Sequence, residues 1–292
     1  MTTVSDDLDR AAAVFGQVRP RLFGIAYRML GSAAEAEDIV QDVWLRWQTA
    51  DRSVVLNPAA YLSTATTRLA INATQSARVR RESYIGPWLP EPVDTSADPY
   101  LGAERGEALA FAVLLLMERL SPNERAAYVL REAFDYPYSQ IADILQLSEP
   151  AVRQLVSRAR KHVDGERRAE VDAAEQQRLL TAFVQAAKSG DLDELEGLFA
   201  ADVASVSDGN GKARASKFPV VGSERVAKFF RSFHTRFWAG VEIVWTQMNG
   251  EPAAVLTVDG SVRTILTVSS SPEGIYQINV QMNPDKLTQA HS

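Results

Sequence analysis

Residues 138–162, YSQIADILQLSEPAVRQLVSRARKH, hold two helical periodicities separated by one tight break, a pattern that few folds accommodate. Ile141, Ala142 and Leu145 fall on one face of the first helix, and Val152, Leu155, Val156 and Ala159 repeat on the second, so two apolar faces are set to pack together. Gln146, Leu147 and Ser148 form the turn, with Ser148 placed to cap the second helix and Pro150 in its first turn. The polar side of that helix carries Arg153, Gln154, Ser157, Arg158, Arg160 and Lys161. Cations that bind phosphate stand there beside amide and hydroxyl groups that read base edges, as in a helix-turn-helix. An ordinary helical hairpin with a solvated basic face would show the same pattern, so the rest of the chain decides.

The chain has 292 residues, enough for two or three domains, and its 46% hydrophobic and 23% charged content is that of a soluble globular protein. No run of 18 apolar residues and no charged-then-apolar leader is visible, which predicts a cytoplasmic protein with no membrane association. Cysteine is absent, which excludes disulfides and thiolate chemistry. His162, His234 and His291 are far apart, so neither a metal site nor a cofactor is expected. The net charge of −6 sits poorly with a protein that grips DNA unaided, because phosphate neutralisation supplies most non-specific affinity. Residues 1–84 hold 10 Lys/Arg against 9 Asp/Glu and residues 100–168 hold 10 against 10, whereas residues 169–292 hold 11 against 15. Near-neutral segments with local basic clusters predict weak DNA binding alone and a larger partner that adds affinity.

Residues 9–30 read as an amphipathic helix that Pro20 should kink or break. A second helix over 33–48 buries Ala36, Ile39, Val40, Val43, Trp44 and Trp47, and its outer face is acidic, with Glu35, Glu37, Asp38, Gln41 and Asp42. Most acidic faces are merely solvated, but this one could dock on a basic partner helix. After a polar loop at 49–57, Pro58 starts a third helix reaching Arg81. Its polar face offers Thr64, Thr67, Arg68, Asn72, Gln75, Arg78, Arg80 and Arg81 beside Tyr61, a mixture suited to unpaired bases that stack on rings while the backbone follows positive charge.

These stretches carry a family resemblance. Residues 9–81, with EAEDIVQDVWLRW, YLSTATTRLAIN and a basic end, resemble region 2 of bacterial RNA polymerase sigma factors of the extracytoplasmic-function (ECF) group. Residues 104–163, with LSPNERAAYVLREAFDYPYSQIADILQLSEPAVRQLVSRARKHV, resemble region 4. The resemblance implies that Asp38, Gln41 and Asp42 bind the β′ clamp helices of core RNA polymerase and that region 4 meets the β flap. It implies that the 49–57 loop and Tyr61, Thr64, Arg68, Asn72, Arg78, Arg80 and Arg81 melt and hold the −10 element of promoter DNA. The 149–161 helix would then read the −35 element.

Residues 84–99, YIGPWLPEPVDTSADP, contain four prolines and three acidic residues and cannot form a regular helix. Trp88 and Leu89 are costly to leave in water and should dock on another surface. Ser121, Pro122 and Glu124 then form a capping box that opens a helix, preceded by an apolar helix over 109–120. Past residue 169, helices over 171–187, 192–199 and 223–234 give way to strands over 241–248, 253–258, 262–268 and 275–282. The turns between them are Asn249-Gly250, Asp259-Gly260 and 271–274. Helices followed by an antiparallel sheet make an α+β domain. Its order and size resemble the SnoaL-like branch of the NTF2-like cone fold, with a pocket between sheet and helices.

The whole predicts a multidomain protein: two all-α sigma domains at 1–84 and 104–168, a proline-rich linker at 85–103 and an α+β cone at 169–292. The combination resembles ECF sigma factors with a fused C-terminal regulatory domain. That family's DGGGK-type turn and NPDKL-type terminus appear here as Asp208, Gly209, Asn210, Gly211 and Lys212, and as Asn283, Pro284, Asp285, Lys286 and Leu287. With Trp88, Leu89 and Pro90 they form the expected interdomain regulatory set. Asn210 departs from glycine but also tolerates left-handed backbone angles. The functional expectation is promoter-specific initiation controlled in cis by the tail, with a small-molecule ligand in the tail's pocket. A stand-alone helix-turn-helix regulator with a ligand-binding or catalytic tail is the alternative. For catalysis the pocket would need a titratable pair, and no spacing makes Asp202, Asp208, His234 and Glu242 converge. No catalytic residue is expected.

Overall fold

The computed structural model describes residues 2–96, 110–169 and 171–287 and divides into two compact units. One comprises 1–82, 99–109 and 113–166, the other 83–98, 110–112 and 167–292. The segments read as regions 2 and 4 thus share one unit, and most of the linker belongs to the other. The domain boundary expected at 103/104 lies outside the described residues.

In the first unit α1 (Thr2–Leu30), α2 (Ala33–Thr49) and α3 (Pro58–Glu82) pack around Leu22, Ile25, Met29, Val43, Trp47 and Leu62. Ser32 caps α2 by accepting from the Glu35 N–H. Of the kink or break expected at Pro20, no break occurs: α1 runs on through it. The carbonyl that proline deprives of a donor belongs to Gly16, on the exposed side of the helix, where water can bond it. Thr67 also departs from expectation: it is buried, and its hydroxyl donates to the Ser63 carbonyl.

The region 4 part has α4 (Phe111–Met117), α5 (Pro122–Tyr128) extended by a π turn at Val129–Ala133, α6 (Tyr138–Leu145) and α7 (Glu149–Glu166). The Ser121–Glu124 capping box forms in both directions. Gln146 ends α6 with φ 58°, and the Ser148 hydroxyl accepts from the Ala151 N–H at the start of α7. Ile144, absent from the apolar stripe read in sequence, is buried, whereas Leu145 is half-buried.

Arginines join the two helical groups. Arg21 donates to the Phe134 carbonyl at 3.1 Å and stands 4.8 Å from the Tyr136 ring centre. Arg28, fully buried, lies 5.0 Å over Phe134. The approach requires Gly24, because a Cβ there would stand 3.0 Å from Arg28 Nη1 and 3.2 Å from Phe134 Cζ. Arg125 donates to the Arg28 carbonyl at 2.9 Å and to Glu118 at 2.5 Å, and burial pushes its pKa down to about 9. Glu118 also pairs with Arg81 at the end of α3, so one carboxylate ties both groups.

The second unit is a six-stranded sheet in the order β2-β1-β6-β5-β4-β3: β1 (Phe199–Asp208), β2 (Val220–Val221), β3 (Glu242–Met248), β4 (Glu251–Val258), β5 (Ser261–Ser271) and β6 (Gly274–Gln281). β1 runs parallel to β6 and the other pairs are antiparallel. Asn249-Gly250 and Asp259-Gly260 make the two-residue hairpins, all four residues at positive φ, as type I′ turns require.

On one face of the sheet pack α8 (Ala173–Ser189), α9 (Leu192–Leu198) and α10 (Ser223–Phe237), around Leu180, Phe183, Val226, Phe230, Leu256 and Ile278. The other face carries a smaller cluster of Phe111, Met248, Ala253, Val255, Ile265 and Leu287, beside α11 (Pro284–Leu287). Linker residues 83–96 bond to the strand ends and hairpins that border this second face.

Glu118→Gln should lower the stability of the first unit by about 2–3 kcal/mol, since it leaves the buried Arg125 guanidinium uncompensated. Chemical denaturation followed by far-UV circular dichroism checks this; a loss under about 0.5 kcal/mol would show that the bridge does not hold the helical groups together.

Candidate nucleic-acid and polymerase interfaces and the linker lock

The helix-turn-helix presents Arg153, Gln154, Ser157, Arg158, Arg160 and Lys161 on the solvent side of α7, while Val152, Leu155, Val156, Ala159 and Val163 are buried. Three of the guanidiniums hold partners. Arg153 pairs with Glu149 at 3.1 Å and lies 4.4 Å over the Tyr138 ring. Arg158 pairs with Glu124 at 2.9 Å and Arg160 with Glu132 at 2.7 Å. The Glu124 carboxyl is held below its usual range, chiefly by the Ser121 hydroxyl and also by Arg158. Such exposed pairs contribute about 0–1 kcal/mol, little enough for a phosphate or base edge to displace them.

On α2, Asp38, Gln41 and Asp42 are exposed on a common face, backed by buried Ile39, Val40 and Val43. Trp47 is core and donates to the Ala11 carbonyl at 3.1 Å; Trp44 is half-buried against Phe15, ring centres 5.0 Å apart. In the 49–57 loop Val54 and the fully exposed Leu56 project into solvent.

On α3, Tyr61, Arg68, Asn72, Arg78 and Arg80 are exposed, and Thr64 and Arg81 are half-buried. Not all of them are free to meet DNA. Arg68 donates to the carbonyls of Ile144 at 3.0 Å and Asp143 at 3.1 Å, at the C-terminal end of α6. Arg80 pairs with Glu35, and Arg81 donates to the Leu30 carbonyl and pairs with Glu118. Tyr61 rests on Trp47 with ring centres 5.7 Å apart.

The third group centres on Asp208, which has no exposed surface. Its Oδ1 accepts from the Tyr84 hydroxyl at 2.6 Å, and its Oδ2 from the Leu89 N–H at 2.9 Å and from Lys286 Nζ at 2.7 Å. The ammonium donates to the Leu89 carbonyl at 2.6 Å as well and stands 4.4 Å over the Trp88 ring. Burial first, then the bond to Asp208, pushes the Tyr84 phenol pKa far up, so it stays a donor. Asn283 donates to the Tyr84 oxygen at 2.8 Å, accepts from the Asp285 N–H, and so shapes the turn into α11 that Pro284 opens. Gln281 reaches the Pro90 carbonyl. Leu287 enters the far-face cluster.

The turn after Asp208 has its own constraints. A Cβ at Gly209 would stand 2.7 Å from the Ala215 Cβ and 2.8 Å from the Ala213 carbonyl oxygen, so only glycine fits. Asn210 and Gly211 take φ 45° and 67°, and the bare side of Gly211 faces Ile85. Lys212 closes the turn onto Asp285 at 2.5 Å.

The regulatory residues named from sequence therefore converge in one unit. Tyr84 was missed, as was Asn249, whose side chain accepts from the Val93 N–H while its own N–H donates to the Val93 carbonyl. The sequence marks Asn249 only as a turn former; nothing in its spacing shows the second role. The acid–base candidates do not gather: Asp208 is spent on Lys286, Asp202 pairs with Arg168, and Glu242 is exposed.

The description Sigma-70 region 2 matches residues 14–80, and Sigma-70 region 4 matches 110–163. The ECF RNA polymerase sigma factor SigJ of Mycobacterium tuberculosis is 36% identical over 289 residues, covering 94% of this chain and 92% of SigJ. The probable ECF sigma factor SigI of the same species is 31% identical over 286 residues, covering 96% of this chain and 95% of its own. The SigJ crystal structure superposes with a TM-score of 0.77 over 95% of this chain and 98% of its own. With two helical sigma regions and a SnoaL-like α+β cone in one chain, the protein belongs to the ECF RNA polymerase sigma factors.

Proposed function

We propose that this sigma factor engages its promoter through two faces of the first unit and that its C-terminal cone controls them by holding the segment that joins them. Directing initiation by core RNA polymerase is the function of its family. In this reading Asp38, Gln41 and Asp42 meet the β′ clamp helices and region 4 meets the β flap. The 49–57 loop and the exposed face of α3 receive the melted −10 strand, and the six polar residues of α7 take the −35 major groove. The chain works in the cytoplasm and performs no chemistry of its own.

The observation that carries the cis-control reading is the burial of Leu89 and the carboxylate of Asp208 in one hydrogen-bonded group with Lys286 and Tyr84. Residues 83–96 connect the two promoter-binding regions in sequence, and the cone sequesters them. Arg68 supports a closed state independently. While it caps the end of α6, it is withheld from the −10 strand.

Run-off transcription with core RNA polymerase on a cognate promoter tests the central assignment. The full chain or a cone-deleted chain should direct a discrete start, and failure of both removes it. Alanine at Arg153, Arg158 or Arg160 should cost about 1–3 kcal/mol of −35-dependent binding where the residue reads a base in bidentate fashion. Equal loss on all −35 sequences would reassign that residue to phosphate.

Asp208→Asn should destabilise the cone by about 3 kcal/mol, because the buried Lys286 ammonium loses its counter-charge. It should also change transcript yield. Thermal melts and transcript counts for Asp208→Asn and Trp88→Ala check this pair of effects, and unchanged yield in both variants would end the cis-control reading.

A further inference from the structure

A cavity of about 590 Å³ opens within the C-terminal unit, on the helix side of the sheet, and its lining is chemically divided. Phe229, Phe230, Phe233 and Phe237 of α10 form an aromatic wall, each ring within 4.9–5.9 Å of the next. Val280 and Met282 continue this apolar surface. Two arginines, Arg214 from the loop after β1 and Arg236 from the last turn of α10, also line the cavity. Both are exposed, and among the described residues neither forms an ion pair or a side-chain hydrogen bond.

In the same unit Arg168 and Arg178 meet carboxylates, whereas Arg214 and Arg236 keep their guanidiniums available to a ligand. Ser207, buried near the end of β1, adds a hydroxyl to the lining.

The geometry points to a binding site for an amphipathic organic anion, a carboxylate carried on a medium-length acyl or aromatic body. The body covers the phenylalanine wall, and the carboxylate accepts from Arg214 and Arg236. A neutral apolar ligand would make no use of the two solvated cations; a small inorganic anion would leave the aromatic wall wet. The volume lies within the ordinary range for small-molecule sites. Arg214, Ala215 and Ser216 line the cavity, while Ser216 and Lys217 backbone atoms lie 3.7–3.9 Å from where a Gly86 Cβ would stand. One loop therefore touches both ligand and linker. The inference deepens the cis-control reading by naming what the cone senses.

Calorimetry of the full chain with decanoate, decan-1-ol and decyltrimethylammonium tests it without polymerase, so a negative result here is separate from failure of transcriptional control. Decanoate should bind at one site, and both other probes should bind at least tenfold more weakly. Arg214→Gln with Arg236→Gln should weaken decanoate roughly tenfold or more, as expected for loss of charge-assisted hydrogen bonds, and leave the melting temperature unchanged. Arg→Lys at both positions should restore part of the affinity. Equal binding of decan-1-ol, absence of saturable decanoate binding, or unchanged affinity in the glutamine variant would each overturn the assignment.

Discussion

The buried carboxylate of Asp208 is the constraint around which the C-terminal unit is arranged. A carboxylate with no exposed surface is tolerated only when a counter-charge and hydrogen-bond donors replace its water. Here the donors come from three separated parts of the chain: Tyr84 and Leu89 in the linker, and Lys286 in the terminal helix. None can leave alone without stranding the others. If the linker departed, Asp208 would lose two of its three donors and Lys286 would lose the Leu89 carbonyl and the Trp88 ring. The Lys286 pair would remain, but each lost hydrogen bond to the charged group costs about 1.5–3 kcal/mol, a large share of a domain's total stability of about 5–15 kcal/mol. Linker docking and folding of the cone are therefore coupled rather than independent.

Backbone angles around Asp208 follow from the same requirement. The chain must reverse directly after β1 to bring Lys212 back toward Asp285, and it does so with successive left-handed residues at Asn210 and Gly211. Gly209 carries no side chain because Ala213 and Ala215 fold back over it. The Asn283 turn mirrors this on the other side, its side chain bonding both the Asp285 N–H and the Tyr84 hydroxyl. Two short motifs, far apart in sequence, are thus the two jaws of one clamp.

Sequence periodicity exposed what depends on local chemistry. The Asn249-Gly250 and Asp259-Gly260 hairpins, the Ser121 capping box and the Ser148 turn are all legible because each residue type is demanded by a backbone angle or an orphan N–H. β1 escaped notice. Its sequence FAADVASVSD is short of large apolar residues, and it begins directly where α9 ends, with no turn residue between. It is recognisable only through its parallel pairing to β6, a contact about 75 residues away that no local pattern encodes. Arg28 and Arg125 were illegible for another reason. Arginine is read as surface, yet these two are buried where Phe134, backbone carbonyls and Glu118 receive them. Those side chains are among the contacts that join regions 2 and 4 in one unit.

The protein thus uses two energetic classes of polar contact. The pairs that the α7 arginines make are exposed, and each can be replaced by water or a competing anion at little cost. Arg68 is intermediate. Its two carbonyl acceptors lie at a helix C-terminus, where the dipole favours a cation, but the residue is itself exposed and water can replace it. The Asp208 group is of the opposite kind, since breaking it strands charge in a low-dielectric interior. The exposed contacts on α7 and α3 can therefore be exchanged one at a time. Release of the linker needs a concerted change in the cone, because the loop from Asp208 to Lys217, the Asn249 hairpin and the turn at 283–286 all hold it at once.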